Sequence, residues 1–418
     1  MKNRLIALLR WSERYTKTDM VYLTSNVSWL TLKQIFLALV SLGLSFAFAH
    51  LVSKEMYGNY RYLQSLFWTL TALSLTGIPA ALLRSVARGK DGTYKQAIRL
   101  SLLWSIPSAL VALAISFYYF TQGNNVLAWG ALTISVVGPF LQASYLFGSY
   151  LDGKRAFKTN ALYGSILAGF PALFILTAML FTGSASALFF VYLASNVFVA
   201  CILTIFVWKK FKPLLSNKSE SILNLGAHFS AMNFLSTVAQ QLDRLLVYHF
   251  LGATELAIYS FATAVPDQVK GVFNNVGSIA FPKFANRPIK DIRASLWNRL
   301  FKFTLLMVLV SVSYILVAPY LFSVLFPSYS DAVFYSQIYA LALIPIGSIF
   351  PTTILQAHAA KRELYFLNLS TSLIQILSVL LGVLWYGLLG VVIARGISRV
   401  LSFVIAQLLI SYNARRTT

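Results

Sequence analysis

Apolar residues occur along this chain in twelve long runs that are separated by short polar loops. A helix that spans a bilayer needs about 20 mostly apolar residues at 1.5 Å per residue, and every run has that length. The chain is therefore predicted to be an all-α integral membrane protein with twelve transmembrane helices. The predicted spans are residues 29–51, 62–83, 100–120, 126–151, 159–181, 188–208, 229–251, 256–281, 303–326, 332–357, 364–385 and 389–411.

Lysine and arginine side chains are concentrated in alternate loops between these runs. The intervening loops contain only Lys54 and Arg61. Because cytoplasmic loops carry an excess of Lys and Arg, the basic loops are predicted to face the cytoplasm, and an even number of spans places both termini there. The basic loops lie near residues 2–17, 84–99, 154–158, 209–218, 283–302, 361–362 and 415–416.

The composition agrees with a bilayer environment, since 58% of the residues are hydrophobic and 11% are charged, against about 25% charged in soluble proteins. The formal net charge of +22 is also typical of nucleic-acid-binding proteins. Here the charge is divided among short loops, so membrane lipids and not nucleic acid are the expected partner. The single cysteine, Cys201, lies in an apolar run, which predicts a buried thiol and excludes an internal disulfide.

The longest polar interruption divides the predicted spans into two sets of six. A weak internal repeat supports this division, because Gly58-Asn59-Tyr60 after the first span matches Ala257-Ile258-Tyr259 after the seventh. Parallel repeats of this kind occur in transporters, whose substrate site lies at the repeat interface. We expect a cytoplasmic amphipathic segment at 1–28, an N-lobe at 29–208, a cytoplasmic linker at 209–227, a C-lobe at 228–411 and a cytoplasmic tail at 412–418.

Charged side chains inside the predicted spans are the candidate functional residues, since a charge in the bilayer is costly unless it has a partner or faces a cavity. One interpretation is that they pair with one another, as Asp267 and Lys270 would at a helical spacing of three. Pairing leaves a positive excess, which favours a water-filled cationic cavity for an anionic substrate. The anions are Asp243 and Asp267, and the cations are Lys33, Arg244, Lys270, Arg395 and Arg399.

Amides in the same spans extend this prediction. Gln240, Gln241 and Asn274 are predicted to line the cavity and bond the hydroxyls of a sugar, although interhelical hydrogen bonding would satisfy them equally well. Asp243 and Asp267 are the only carboxylates in the spans, so they are the candidates for carrying a proton or a sodium ion. No catalytic residue, metal site or cofactor is predicted.

Several short phrases resemble the Wzx-type polysaccharide (O-antigen) flippases of the MOP superfamily, which also contains the MATE exporters and the lipid II flippases. The similarity extends over essentially the full chain. The phrases are Lys54-Glu55-Met56-Tyr57-Gly58-Asn59-Tyr60, Gly77-Ile78-Pro79 with Leu83-Arg84-Ser85-Val86-Ala87-Arg88, Gln241-Leu242-Asp243-Arg244-Leu245-Leu246 with Phe250-Leu251-Gly252 and Ile258-Tyr259-Ser260, and Ala280-Phe281-Pro282-Lys283-Phe284.

The resemblance implies two lobes in a V-shaped bundle around a cationic cavity. It implies a flippase that moves an undecaprenyl-diphosphate-linked oligosaccharide from the cytoplasmic to the periplasmic leaflet of a bacterial inner membrane. A polysaccharide polymerase and a chain-length regulator are the expected protein partners. The alternative is a MATE-like, cation-coupled exporter, which the lack of acidic residues in the first six predicted spans disfavours. A polymerase or ligase is disfavoured because the outer loops are short.

Overall fold

The computed structural model describes residues 20–213, 221–285, 289–358 and 361–416, and every regular element in these ranges is helical. Short 3-10 turns interrupt several of the long helices. In chain order the α-helices are α1 (Met20–Leu51), α2 (Lys54–Leu70), α3 (Ile78–Ala87), α4 (Thr93–Trp104), α5 (Ile106–Thr121), α6 (Asn125–Ser144), α7 (Leu146–Gly153), α8 (Phe157–Phe181), α9 (Ala185–Phe211), α10 (Leu223–Leu251), α11 (Ala253–Ala285), α12 (Ile289–Leu325), α13 (Ala332–Leu341), α14 (Ile349–Ala357) and α15 (Lys361–Arg416).

Within the described ranges, eight helical segments are long and apolar enough to cross a membrane, and one bent pair would add a ninth. Every predicted span overlaps a helix, so an all-helical membrane protein is confirmed. Neither α10 nor α11 belongs to this set, because polar residues such as Asp243 and Asp267 lower their hydropathy. The number of twelve crossings and the cytoplasmic placement of both termini stay predictions.

The second predicted span, residues 62–83, is bent and not straight. It passes through a 3-10 turn at Thr71–Leu73, and α3 then leaves at 62°. Gly77 and Pro79 explain the break, since proline is accommodated in the first turn of a helix but not in its interior. Gly77 also lets another helix approach, because a Cβ there would lie 2.3 Å from the carbonyl oxygen of Gly226.

The last two predicted spans form a hairpin within α15. Gly387 makes the turn with φ +58° and ψ −135°, a conformation that glycine adopts without the cost imposed by a side chain. The two arms cross at Gly382 and Gly390, where a Cβ on Gly390 would lie 1.9 Å from the carbonyl oxygen of Gly382. The crossing therefore has no room for side chains.

Two helices extend into the predicted linker at 209–227, since α9 continues to Phe211 and α10 begins at Leu223. Lys212 closes α9 in the left-handed conformation, with φ 49°, and Pro213 cannot continue the helix. Residues 214–220 lie outside the described ranges. We refer to residues 20–213 as the N-terminal half and to residues 221–416 as the C-terminal half.

The predicted terminal segments also differ from the helices. The first helix begins at Met20 and not at residue 29, and the last continues to Arg416 beyond residue 411. The rest of the predicted amphipathic segment and the last two residues lie outside the described ranges.

Large apolar side chains cover the outside of the bundle. Phe117, Phe181 and Leu316 are 71%, 88% and 74% exposed. Contact with lipid explains such a surface, which in water would be an aggregation hazard. Cys201 also lies on the exposed surface, so the predicted burial of its thiol was wrong. An apolar run in a membrane helix faces lipid as readily as protein.

The two halves pack together mainly through α2, which contacts α10 and α11, while α3 also contacts α10 and α1 contacts α11. Gly58 allows the closest approach, since a Cβ there would lie 1.9 Å from the carbonyl oxygen of Ala253. Tyr62 stacks on Tyr248 with 4.0 Å between ring centroids, and the Tyr248 hydroxyl donates to Asn59 Oδ1 at 2.6 Å. These contacts join the halves at the end of the bundle that is predicted to be periplasmic.

Candidate functional site

A buried ion pair joins α10 to the second arm of α15. Arg395 donates to Asp243 Oδ2 through Nη2 at 2.7 Å and through Nε at 2.8 Å, and the Asp243 side chain is 1% exposed. The Tyr259 hydroxyl donates to the same oxygen at 2.5 Å. The other carboxylate oxygen, Oδ1, is buried and has no hydrogen-bond partner among the described residues. This cluster ties α10, α11 and α15 to one another.

A second ion pair lies one helical turn further along α15. Arg399 Nη2 is 3.2 Å from Asp267 Oδ1 and 2.7 Å from the Tyr339 hydroxyl, and Nη1 donates to the Ala342 carbonyl at 3.2 Å. The Tyr339 hydroxyl also donates to Asp267 at 3.0 Å. The four-residue spacing of the two arginines puts both on one helical face. Because the Asp267 side chain is 34% exposed, it is far more accessible than that of Asp243.

A cavity of about 220 Å³ opens beside this second pair. No described acidic residue forms an ion pair with Lys270, and none lines the cavity. Cations and hydroxyl donors without a carboxylate attract an anion. The charged lining consists of Lys270 and Arg399, and the hydroxyl lining consists of Ser348, Thr352 and Ser402.

Arg244 interacts within its own helix. Its Nη1 donates to Gln241 Oε1 at 3.0 Å, and its Nε is buried without a partner among the described residues. Arg244 does not pair with the adjacent Asp243, because neighbours on an α-helix point about 100° apart. Gln241 therefore orients a cation here.

The remaining candidates are more dispersed. Gln240 is exposed and contributes its backbone carbonyl, which accepts from Arg395 at 3.4 Å. Lys33 packs against Gly164 of α8, within the N-terminal half. The side chain of Asn274 lies outside the part of the chain that the structure describes. The structure thus brings together the C-terminal cations and acids and leaves Lys33 with the other half.

Sequence reasoning missed three side chains near these features. Tyr259 and Tyr339 hold the two carboxylates, and tyrosine is too common in membrane helices to signal such a role. Arg61 was assigned to an outer loop, yet it lies within α2, half-buried, and donates to Gln64 Oε1 at 2.5 Å. The spacing of Arg61 and Gln64, three residues apart at the start of an apolar run, is the signal that could have identified it.

The charges of the C-terminal half show both features that the sequence suggested, mutual pairing and a positive excess. Two carboxylates pair with two arginines, although Asp267 pairs with Arg399 and not with Lys270. Arg244 and Lys270 have no carboxylate partner among the described residues. The pairs hold helices together, and the positive excess lies partly at the cavity.

A family model described as "Polysaccharide biosynthesis protein" matches residues 23–287, more than half of the chain. A Shigella flexneri protein named "Putative O-antigen transporter" is 26% identical over 179 residues. That match covers 40% of this chain and only 40% of the length of the Shigella protein.

Solved structures of MOP-superfamily transporters have the same fold. A MATE family transporter in an inward-facing conformation superposes with a TM-score of 0.71 at 14% identity, over 93% of this chain and 99% of that one. The lipid II flippase MurJ, in an inward closed conformation, gives 0.68 at 13% identity over 90% and 86%. A MOP-superfamily transporter from Pyrococcus furiosus gives 0.59 at 16% identity over 92% and 95%.

Proposed function

The chain belongs to the polysaccharide biosynthesis protein family, and on that premise we propose that it is a flippase for lipid-linked oligosaccharide. Its substrate is an oligosaccharide joined through diphosphate to undecaprenol, such as an O-antigen repeat unit. The flippase moves this substrate from the cytoplasmic to the periplasmic leaflet of the bacterial inner membrane.

The observation that carries this proposal is the cavity formed by Lys270 and Arg399. A diphosphate is a dianion, and moving it bare through hydrocarbon costs far more than thermal energy supplies. Lys270 provides an ammonium without a carboxylate partner among the described residues, and the hydroxyls of Ser348, Thr352 and Ser402 provide neutral donors. Together they replace the water that the diphosphate loses.

Alternating access is the mechanism that we propose, and the contacts between the two halves support it. In this proposal the halves are two six-helix lobes, N-lobe and C-lobe, with both termini in the cytoplasm. Release on the periplasmic side requires the stack of Tyr62 on Tyr248 and the hydrogen bond of Tyr248 to Asn59 to separate. Each of these contacts is individually weak, which suits a closure that must open in every cycle.

The remaining parts of the substrate meet other surfaces. Gln240 and Asn274 are proposed to bond glycan hydroxyls as the sugar passes, while the undecaprenyl chain stays in contact with lipid. The proposed protein partners are a polysaccharide polymerase and a chain-length regulator, which receive the flipped unit on the periplasmic side.

Proteoliposomes provide the direct test. A fluorescently labelled oligosaccharide on undecaprenyl diphosphate is placed in one leaflet, and its arrival in the other is followed by a quencher that cannot cross the bilayer. Liposomes with the protein are expected to transfer the label far faster than protein-free liposomes. A protein that leaves the labelled lipid in place but expels quaternary ammonium dyes would instead be a cation exporter.

A further inference from the structure

A polar cavity of about 270 Å³ lies in the N-terminal half, apart from the charged cluster of the C-terminal half. Helices α1, α2, α8 and α9 surround it. A volume of this size is at the small end of ligand pockets and suits one small ring. Its polar wall includes Tyr57, Tyr60, Arg61, Gln64, Tyr192 and Asn196.

The polar groups of this wall are held in place by protein contacts. Arg61 donates to Gln64 Oε1 at 2.5 Å. Asn196 donates through Nδ2 to the Tyr192 carbonyl at 2.8 Å and accepts from the Tyr145 hydroxyl at 2.9 Å. None of the described residues that line the cavity is acidic. The wall therefore presents fixed amides, hydroxyls and one guanidinium, which are donors and acceptors suited to neutral hydroxyls.

Three tyrosine rings complete the wall. The Tyr60 and Tyr192 rings meet edge to face with 6.1 Å between centroids, and Tyr57 lies 6.4 Å from Tyr60 in a stacked arrangement. A pyranose has a face of C–H groups and an edge of hydroxyls. Aromatic faces contact the first and planar polar groups bond the second. The guanidinium of Arg61 is already bonded to Gln64 and Ser260, so this lining fits a sugar ring.

An apolar groove adjoins the cavity between α1 and α8. It has a volume of about 440 Å³ and shares Val40, Leu44 and Ala172 with the cavity. Gly43 leaves it open, since a Cβ there would meet nothing within 4 Å. The groove is lined almost entirely by apolar side chains, so of the two spaces only the cavity fits a sugar.

Charged side chains stand at the matching positions of the C-terminal half. At the offset of 199 that separates Arg61 from Ser260, Tyr60 corresponds to Tyr259, and Asn196 corresponds to Arg395. The partner of Arg395 is Asp243, which corresponds to Leu44. In the C-terminal half the ion pair occupies these positions. In the N-terminal half the neutral side chains of Leu44 and Asn196 occupy them and line the cavity.

We infer that the cavity in the N-terminal half binds one neutral sugar ring of the lipid-linked oligosaccharide. This inference rests on the proposed function, and it assigns one ring of the glycan to the N-terminal half and the diphosphate to the C-terminal half.

The test measures binding of two probes to the full-length protein in lipid nanodiscs by native mass spectrometry. The probes are undecaprenyl diphosphate and the same carrier bearing one glucose. The wild type is expected to bind the glucosylated probe about tenfold more tightly, as one or two added polar contacts would give. Asn196→Leu and Gln64→Leu are each expected to remove this difference and leave the affinity for the bare carrier unchanged.

A control variant completes the test. Thr177→Val, on the exposed face of α8, is the matched control and keeps the tenfold preference. Equal binding of the two probes to the wild type, or variants of Asn196 and Gln64 that weaken both probes alike, would overturn the assignment of the cavity. A wild type that binds neither probe refutes the proposed function itself.

Discussion

Arg61 donates from Nε to Ser260 Oγ across the junction of the two halves at 3.4 Å, and the two residues are 199 positions apart. The same offset relates Gly58-Asn59-Tyr60 to Ala257-Ile258-Tyr259. Equivalent residues of two repeats can touch only close to the axis that relates them. The contact therefore indicates that the axis of the internal repeat passes between α2 and α11.

Gly58 is the position where this junction tolerates no side chain. Gly58→Ala is expected to cost about 1–3 kcal/mol of stability, because a Cβ there would lie 1.9 Å from the Ala253 carbonyl and the backbones must separate. Thermal unfolding in detergent measures the loss. Gly183→Ala is the control, since a Cβ there meets nothing within 4 Å, and equal melting of both variants would contradict the prediction.

The buried pair of Arg395 and Asp243 is expected to act chiefly in folding. Arg395→Gln leaves a carboxylate that is 1% exposed without its cation, which costs about 3–5 kcal/mol. In the double variant with Asp243→Asn no charge remains buried, so most of that loss is recovered. A double-mutant cycle on the unfolding free energy measures the coupling, and additive effects of the two substitutions would contradict it.

The helices and the faces that they share could be predicted from the sequence. The thickness of the bilayer fixes the length of an apolar run, so each predicted span overlaps a helix. This holds even for α10, in which polar residues lower the mean hydropathy. Helical spacing alone puts Arg395 and Arg399 on one face. These features depend on local geometry or on the solvent and need no knowledge of tertiary packing.

The partners of the charges could not be predicted in this way. Asp243 and Arg395 are 152 residues apart, and only the packing of α10 against α15 brings them together. Arg61 was assigned to an outer loop because a span that is defined as a run of apolar residues ends at the first charged residue. The exposure of Cys201 was missed because lipid-facing and protein-facing runs have the same composition.

Lys270 is expected to act in binding and not in folding. Lys270→Gln removes a cation that has no carboxylate partner among the described residues, so thermal unfolding is expected to stay unchanged. The affinity for undecaprenyl diphosphate is expected to fall about tenfold or more, as for a lost charge-assisted hydrogen bond. Lys302→Gln, at an exposed position, is the matched control. Unchanged affinity in Lys270→Gln would contradict binding of the diphosphate in the cavity of Lys270 and Arg399.

Asp267, and not Asp243, is expected to couple transport to an ion gradient. Both carboxylates pair with arginine, but the Asp267 side chain is 34% exposed and that of Asp243 is 1% exposed, so of the two carboxylates Asp267 is the one that solvent reaches to deliver a proton or sodium ion. Asp267→Asn is expected to make the initial transport rate in proteoliposomes independent of imposed proton and sodium gradients. The control Glu55→Gln, at an exposed carboxylate, is expected to retain the wild-type dependence. Gradient dependence that persists in Asp267→Asn would exclude this role, and a wild type that ignores both gradients would exclude coupling through either carboxylate.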